Sequence, residues 1–251
     1  MSTIDHVTIR VGDLAGARAF YDRAFDLLGF GGHRYDDGSS LEWGDFSLTA
    51  TDEERPATEG LHIAFTADSK ELVASWWRGM TEAGYRSDGA PGPRPQYRPD
   101  YYGAFVLDVQ GNSVEAVTHG GARERATGLI DHLWIRVEEL EPIKRFYAAI
   151  APSFGLEARD LGERFGLVSE NGSFTFVEGV PTRGLHLAVG VGDQGTVNAF
   201  YTGAIAAGGR DNGAPGERPR YHPGYYGAYI IDLAGINLEA VFHDRRPASM
   251  L

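Results

Sequence analysis

Two imidazoles and one carboxylate form a donor set for divalent ions such as Fe(II), leaving three coordination positions open. The chain carries that set twice, as His6, His62 and Glu115 and again as His132, His186 and Glu239. In the first copy the three residues lie in segments that alternate apolar and polar side chains, the signature of a strand with one buried face. Within 4–11, Val7, Ile9 and Val11 share one face, and His6, Thr8 and Arg10 share the other. Within 61–66, Leu61, Ile63 and Phe65 oppose His62 and Ala64. Within 113–119, Val114 and Ala116 oppose Glu115, Val117 and His119. The apolar faces suit helix packing. If the sheet curls, the opposite faces line a cup in which the His, His and Glu converge. An ion held there has open positions with which to bind and polarise substrate oxygens.

The second set follows from an internal duplication. "IDHVTIRV" from Ile4 matches "IDHLWIRV" from Ile130, "GLHIAF" from Gly60 matches "GLHLAV" from Gly184, and "GAPG" occurs at Gly89 and Gly213. Segments 94–119 and 218–243 agree at 14 of 26 positions, so the copies have diverged about halfway. Six of the eight histidines nevertheless remain paired: His6 with His132, His62 with His186, and His119 with His243. A module of this size is a duplicated domain, not a short solenoid repeat. The expected division is module one at 1–119, a linker at 120–129 with linker composition, and module two at 130–246.

Each copy reads as two β-α-β-β-β units. A helix is expected over 15–28, with Asp13 as N-cap and Gly29 as stop. A second is expected over 70–83, stopped by Gly84. Strands are expected near Arg34, Leu41 and Phe46, then over 61–66, 104–108 and 113–119. The expected class is α+β, with two tandem modules of paired βαβββ units, each a curled, cup-like mixed sheet with helices on its outer face.

Composition narrows the partners. The net charge of −12 repels phosphate backbones and anionic lipid, so nucleic acid and membrane are poor expectations. No cysteine is present, so a metal must be held by His and carboxylate. No apolar run is long enough to span a membrane, and the expected location is cytoplasmic.

The motifs "IDHV", "GLHIAF" and "YYGAFVLDVQGNSVEAV", with the paired βαβββ units, resemble the vicinal oxygen chelate superfamily, also called the glyoxalase/bleomycin resistance/dioxygenase superfamily. The resemblance covers nearly all of both copies. It implies metal ligands from the first, fifth and last strands of a module, here His6, His62 and Glu115, then His132, His186 and Glu239. It implies a divalent metal cofactor, with Fe(II) favoured and Mn, Ni, Co or Zn possible. Glyoxalase I-like members use a fourth ligand from the fourth strand. Here that strand offers Ser47, Thr49 and Thr175, with Glu178 only at its end, so a three-ligand site is expected. Members of this kind close the site within one copy or exchange halves between copies, and both arrangements remain open.

The Pro-rich loop before the seventh strand presents Arg94, Tyr97, Tyr101 and Tyr102, and in the second copy Arg218, Tyr221, Tyr225 and Tyr226. Arg clamps carboxylates or phosphates and Tyr stacks or donates, so these residues line substrate or cover the cup. Trp134, in place of Thr8, stacks on a ring or plugs its cup. His119 and His243, four residues past each Glu, lie about 13 Å from it along the strand, too far to share its metal. The expected function is a metalloenzyme that chelates vicinal oxygens of a small substrate, with dioxygenase, lyase or isomerase chemistry. The alternative is a metal-independent binding protein that sequesters an aromatic natural product or antibiotic. The expected assembly is a monomer of two modules or a homodimer.

Overall fold

The structure is a computed structural model that describes residues 4–31, 34–38, 40–53, 55–120, 128–169 and 172–244. Most of the expected linker, residues 121–127, lies outside the described residues. The first quarter of the chain forms β1 (His6–Val11), α1 (Leu14–Leu28), β2 (Arg34–Asp36), β3 (Ser40–Trp43) and β4 (Phe46–Ala50). The second forms β5 (Leu61–Thr66), α2 (Lys70–Glu82), β6 (Ser87–Pro93), β7 (Tyr102–Leu107) and β8 (Ser113–Thr118). The third forms β9 (Ile130–Val137), α3 (Leu140–Phe154), β10 (Glu157–Asp160), β11 (Arg164–Ser169) and β12 (Gly172–Glu178). The fourth forms β13 (His186–Gly190), α4 (Gln194–Ala206), β14 (Arg210–Glu217), β15 (Tyr225–Ile231) and β16 (Asn237–His243).

The helices begin and end where local chemistry directs. The Asp13 side chain accepts from the Gly16 N–H, and Gly29 closes α1 in the left-handed conformation at φ 81°. Ser69 caps α2 by accepting from the Leu72 N–H. In α1 the buried side chains Ala17, Phe20, Tyr21, Ala24, Phe25 and Leu28 form one stripe.

The sixteen strands form two eight-stranded sheets. The central sheet runs β10-β11-β12-β9-β5-β8-β7-β6, from the second and third quarters of the chain. The terminal sheet runs β14-β15-β16-β13-β1-β4-β3-β2, from the first and last quarters. Their seams are antiparallel pairs: β5 with β9, where Ile63 faces Leu133, and β1 with β13, where Val7 faces Leu187. Each sheet therefore takes one half from each copy. Four crossing bonds lock the exchange. The Arg136 guanidinium and the Thr182 hydroxyl donate to the Gly60 carbonyl at 2.8 and 2.9 Å, and Arg10 and Thr58 donate to the Gly184 carbonyl at 3.1 and 2.7 Å.

The helices pack on one face of each sheet and against each other, α1 on α2 and α3 on α4. Phe25 of α1 meets Phe46 of the terminal sheet at 5.7 Å and Phe65 of the central sheet at 4.8 Å, so one apolar core serves both. The Pro-rich stretches expected to be loops begin as strands instead. Ser87–Pro93 and Arg210–Glu217 pair at the sheet edges with register shifts, and an edge strand tolerates Pro because one side of it needs no N–H donor.

Candidate metal centre

The faces turned away from the helices hold the six predicted ligands, regrouped by the exchange. In the central sheet His62, Glu115 and His132 come together, and in the terminal sheet His6, His186 and Glu239 do so. Pairing explains why. His132 on β9 lies opposite Ala64 on β5, and Ala64 is level with Glu115 on β8. His62 stands one residue pair further along the same face. His6 likewise lies opposite Ala188, which is level with Glu239.

The ligand atoms of each cup lie close enough together to share one ion. In the central cup His62 Nε2 lies 3.4 Å from His132 Nε2, and the two lie 3.1 and 3.6 Å from Glu115 Oε2. In the terminal cup His6 Nε2 lies 3.1 Å from His186 Nε2, and the two lie 3.6 and 3.2 Å from Glu239 Oε2. Donors each about 2.1 Å from one ion at octahedral or tetrahedral angles stand about 3.0 to 3.4 Å apart. Neutral imidazoles that aim their Nε2 atoms at each other need a cation between them, or a proton, to make the contact favourable. Among the described residues each cluster has three ligands. The position considered for a fourth is otherwise engaged: Ser47 bonds Thr8 at 2.7 Å, and Glu178 accepts from the Leu140 N–H at the start of α3.

A surrounding shell fixes these ligands. Tyr101 donates to Glu115 Oε1 at 2.7 Å and Tyr225 donates to Glu239 Oε1 at 2.6 Å, leaving each Oε2 for the shared position. Gly103 and Gly227 make room for this. A Cβ on Gly103 would collide with Glu115 Oε1, and one on Gly227 would stand 2.7 Å from Glu239 Oε1. His62 Nδ1 lies 3.2 Å from Ser113 Oγ, which donates to Asp88 at 2.7 Å. His186 Nδ1 lies 2.8 Å from the Asn237 amide. Because Ser113 Oγ gives its proton to Asp88, it accepts from His62 Nδ1 and leaves His62 Nε2 for the metal position, whereas the Asn237 N–H facing His186 Nδ1 fixes only the orientation of that ring.

Asp5 and Asp131 complete the shell, and sequence reasoning missed both. Asp5 Oδ1 bonds His6 Nδ1 at 2.8 Å and its Oδ2 bonds His243 Nε2 at 3.0 Å. Asp131 bonds His119 at 2.8 Å and stands 3.6 Å from His132 Nδ1. The terminal histidines thus act on the metal histidines through a carboxylate that precedes each in "IDH". That repeated Asp was the available signal. In the second copy the chain extends further, because His222 Nε2 lies 2.8 Å from His243 Nδ1, whereas Arg98 occupies the matching position in the first copy.

Electrostatics differ between the cups. Burial pushes His62 down to about 4, helped by the Arg136 charge, so its ring is neutral at pH 7. Burial pushes Glu115 up to about 7 against the opposing pull of His132 and Tyr101. In the terminal cup burial also opposes the charge on Glu239, but the bond and charge of His186, the His6 charge and the Tyr225 bond together outweigh it and the carboxyl falls below its ordinary value. Burial disfavours charge on His6, yet Asp5 and Glu239 raise it overall. Burial likewise opposes ionisation of Asp5 and Asp131, but His243 and His119 hold them well below the usual carboxylate range.

The other predicted residues divide by face. Arg94, Tyr97, Tyr101 and Trp134 line a cavity of about 700 Å³ over the central triad. Tyr102 and Tyr226 point to the helix side, where Lys70 sits over the Tyr102 ring and the Tyr226 hydroxyl donates to Asn198 of α4. Tyr221 packs against Tyr225 with ring centres 4.8 Å apart and tilted by 45°, and is largely exposed. Arg218 lies over Tyr229 at 5.5 Å. Tyr229 itself was not anticipated. It is buried beside His186, with its hydroxyl in the neighbourhood of Glu239 and Tyr225. Burial and then the Glu239 charge raise its ionisation, so it stays a donor at neutral pH. Phe105 takes its place in the central cup.

The chain thus combines two eight-stranded sheets of βαβββ units with a three-residue His/Glu cluster on each open face, a group that could hold a metal ion. Residues 3–116 match the family model described as the Glyoxalase/Bleomycin resistance protein/Dioxygenase superfamily. That stretch, the first copy, matches the superfamily, and the second copy repeats its motifs. The fold is similar to that of glyoxalase I from Zea mays, at 20% identity and a TM-score of 0.64, over 96% of this chain and 92% of that one. It is also similar to a putative dioxygenase from Bacillus subtilis, at 15% identity and a TM-score of 0.61, over 96% and 85%. Comparison with curated proteins gives no match.

Proposed function

We propose that the chain is a divalent-metal-dependent enzyme with two centres, each of which chelates adjacent oxygens of a small substrate. The closeness of the three ligand atoms in each cup carries this reading, because both duplicated sites bring two imidazoles and a carboxylate within reach of one ion. A divalent ion held there supplies Lewis acidity to substrate oxygens, favouring enolate or oxyanion character. The chain's own residues do the rest. Tyr101 and Tyr225 hold each glutamate in a single orientation. Asp5 and Asp131 hold the His6 and His132 rings. Tyr229 offers a buried O–H to an oxygen in the terminal cup, which Phe105 does not do in the central one.

The test is metal content and affinity by equilibrium dialysis and elemental analysis of untagged protein. About two divalent ions per chain are expected, one per triad, with the Glu115→Ala/Glu239→Ala double variant losing both. Because of the exchange, His132→Ala empties the centre that contains His62, and His6→Ala empties the one that contains His186. Wild-type protein that takes up no Mn(II), Fe(II) or Zn(II) above the level of the double variant would overturn the reading.

A further inference from the structure

The floor of the central cup is graded along β9. His132, Trp134 and Arg136 follow one another on the open face at every second residue, so successive side chains stand about 7 Å apart. The pairing extends this into rows across the sheet. Arg136 is level with Val177 and, beyond it, with Arg164 on β11. Trp134 is level with Thr175 and Gly166, where the missing side chain leaves the floor open. Ligand chemistry therefore lies at one end, a flat indole in the middle, and cations at the other.

Those cations lack acidic partners among the described residues. Arg164 lies over the Trp134 ring at 5.4 Å, and Arg136 is anchored by one bond to the Gly60 carbonyl, which leaves its other N–H groups available. Arg94 also lines the cavity, satisfied only by the Pro93 and Ala90 carbonyls. On a chain of net charge −12, such a concentration of arginines in one cavity needs an explanation. The acids nearby do not supply one: Asp131 is committed to His119, Asp88 to Ser113, and Glu115 to the triad. The terminal cup is different. Its middle row is Thr8, Ser47 and Glu42, with neither the indole nor a matching excess of positive charge.

We infer that the central cup takes an aromatic carboxylate, with two adjacent oxygens at the His62–Glu115–His132 end, its ring on Trp134, and its carboxylate at Arg164 and Arg136. The inference rests on the metal-chelation reading for the oxygen end only. The arginine end stands on its own geometry. An Arg–carboxylate bond in a partly enclosed cup is charge-assisted and two-pronged, so charge decides which of several similar rings binds.

Calorimetric titration of the Zn(II)-loaded full chain with three catechols of one skeleton tests it: 3,4-dihydroxyphenylacetate, neutral 4-ethylcatechol and cationic dopamine. The acid is expected to bind about tenfold tighter than 4-ethylcatechol, or about 1.4 kcal/mol, with dopamine weakest. Arg164→Gln removes that preference while leaving 4-ethylcatechol within about twofold, and Arg164→Glu reverses it toward dopamine. Equal binding of the three, or a preference for the acid that persists in both Arg164→Gln and Arg136→Gln, overturns the inference. Repeating the titrations with chelator, and with phenylacetate, separates the two readings. Loss of metal dependence with the charge preference intact counts against the triad alone. Loss of the charge preference with metal dependence intact counts against the arginine end alone.

Discussion

Gly103 and Gly227 show how closely single residues govern the centres. Each lies on the strand antiparallel to its glutamate's, diagonal to it, since Gly103 pairs with Val117 and Gly227 with Val241, and gives space to the carboxylate oxygen that a tyrosine holds. Gly103→Ala places a methyl where Glu115 Oε1 must sit, so the carboxylate rotates or the strand shifts. We expect the central site to lose about ten- to a hundredfold in Zn(II) affinity, the range seen when the support around metal ligands is disturbed, with the terminal site unchanged. Competition with a chromogenic chelator reads the two sites separately when the terminal one is emptied by Glu239→Ala. An unchanged affinity would mean that Glu115 does not need its present position. Tyr229 is the other residue that matters at this scale, since a buried donor stands in one cup and a bare phenyl ring in the other.

Among the elements, the turn between β3 and β4 ties the two sheets together, because Asp45 there accepts the N–H groups of Leu129 and Ile130 at the entry to β9. Burial raises Asp45 to about 6, opposed by those same bonds. Its folded value lies above the unfolded one near 3.9, so the folded state binds the proton more tightly. Its stabilising contribution is complete below the unfolded value and is lost as pH rises through 6. Relative to Asp45→Asn, wild-type protein should therefore gain on the order of 1 kcal/mol in unfolding free energy between pH 7 and pH 5. Urea denaturation of metal-free protein at both values checks this, and a flat difference would refute it. The elements themselves were largely legible in the sequence. Asp13 and Gly29 marked the ends of α1, and parity in β1, β5 and β8 placed His6, His62 and Glu115 on the open faces. What parity does not reveal is which strand lies alongside. β5 and β13 present near-identical edges to β1, "GLHIAF" and "GLHLAV", so the grouping of ligands was beyond local pattern. The Asp5–His243 and Asp131–His119 bonds were hidden for the same reason, since each joins strands from different copies. β6 and β14 were hidden by their prolines.

For the whole molecule, exchange makes each copy incomplete. In one copy alone, β1 and β5 are both free seams, and each is the complement of the other. Residues 1–120 produced separately are expected to form a two-fold dimer in which β1 of one chain pairs with β5 of its partner, restoring two three-ligand centres per dimer. Sedimentation with and without Zn(II) tests this, and a monomer that binds metal as tightly as the full chain would contradict it. The connectivity also has an order in time. The two sheets are nested along the chain like brackets, β5–β12 inside β1–β4 and β13–β16. As the chain is synthesised from its N-terminus, everything the central sheet needs has emerged once Glu178 is made, while the terminal sheet waits for the strand ending at His243. Until β13 appears β1 is an open edge, and until β9 appears it has a tempting wrong partner, β5 of its own copy. Capture of β5 by β9 removes that competitor before β13 appears. The inner pair of brackets therefore serves as the proofreading step for the outer pair, and a centre near the N-terminus becomes the last to be finished.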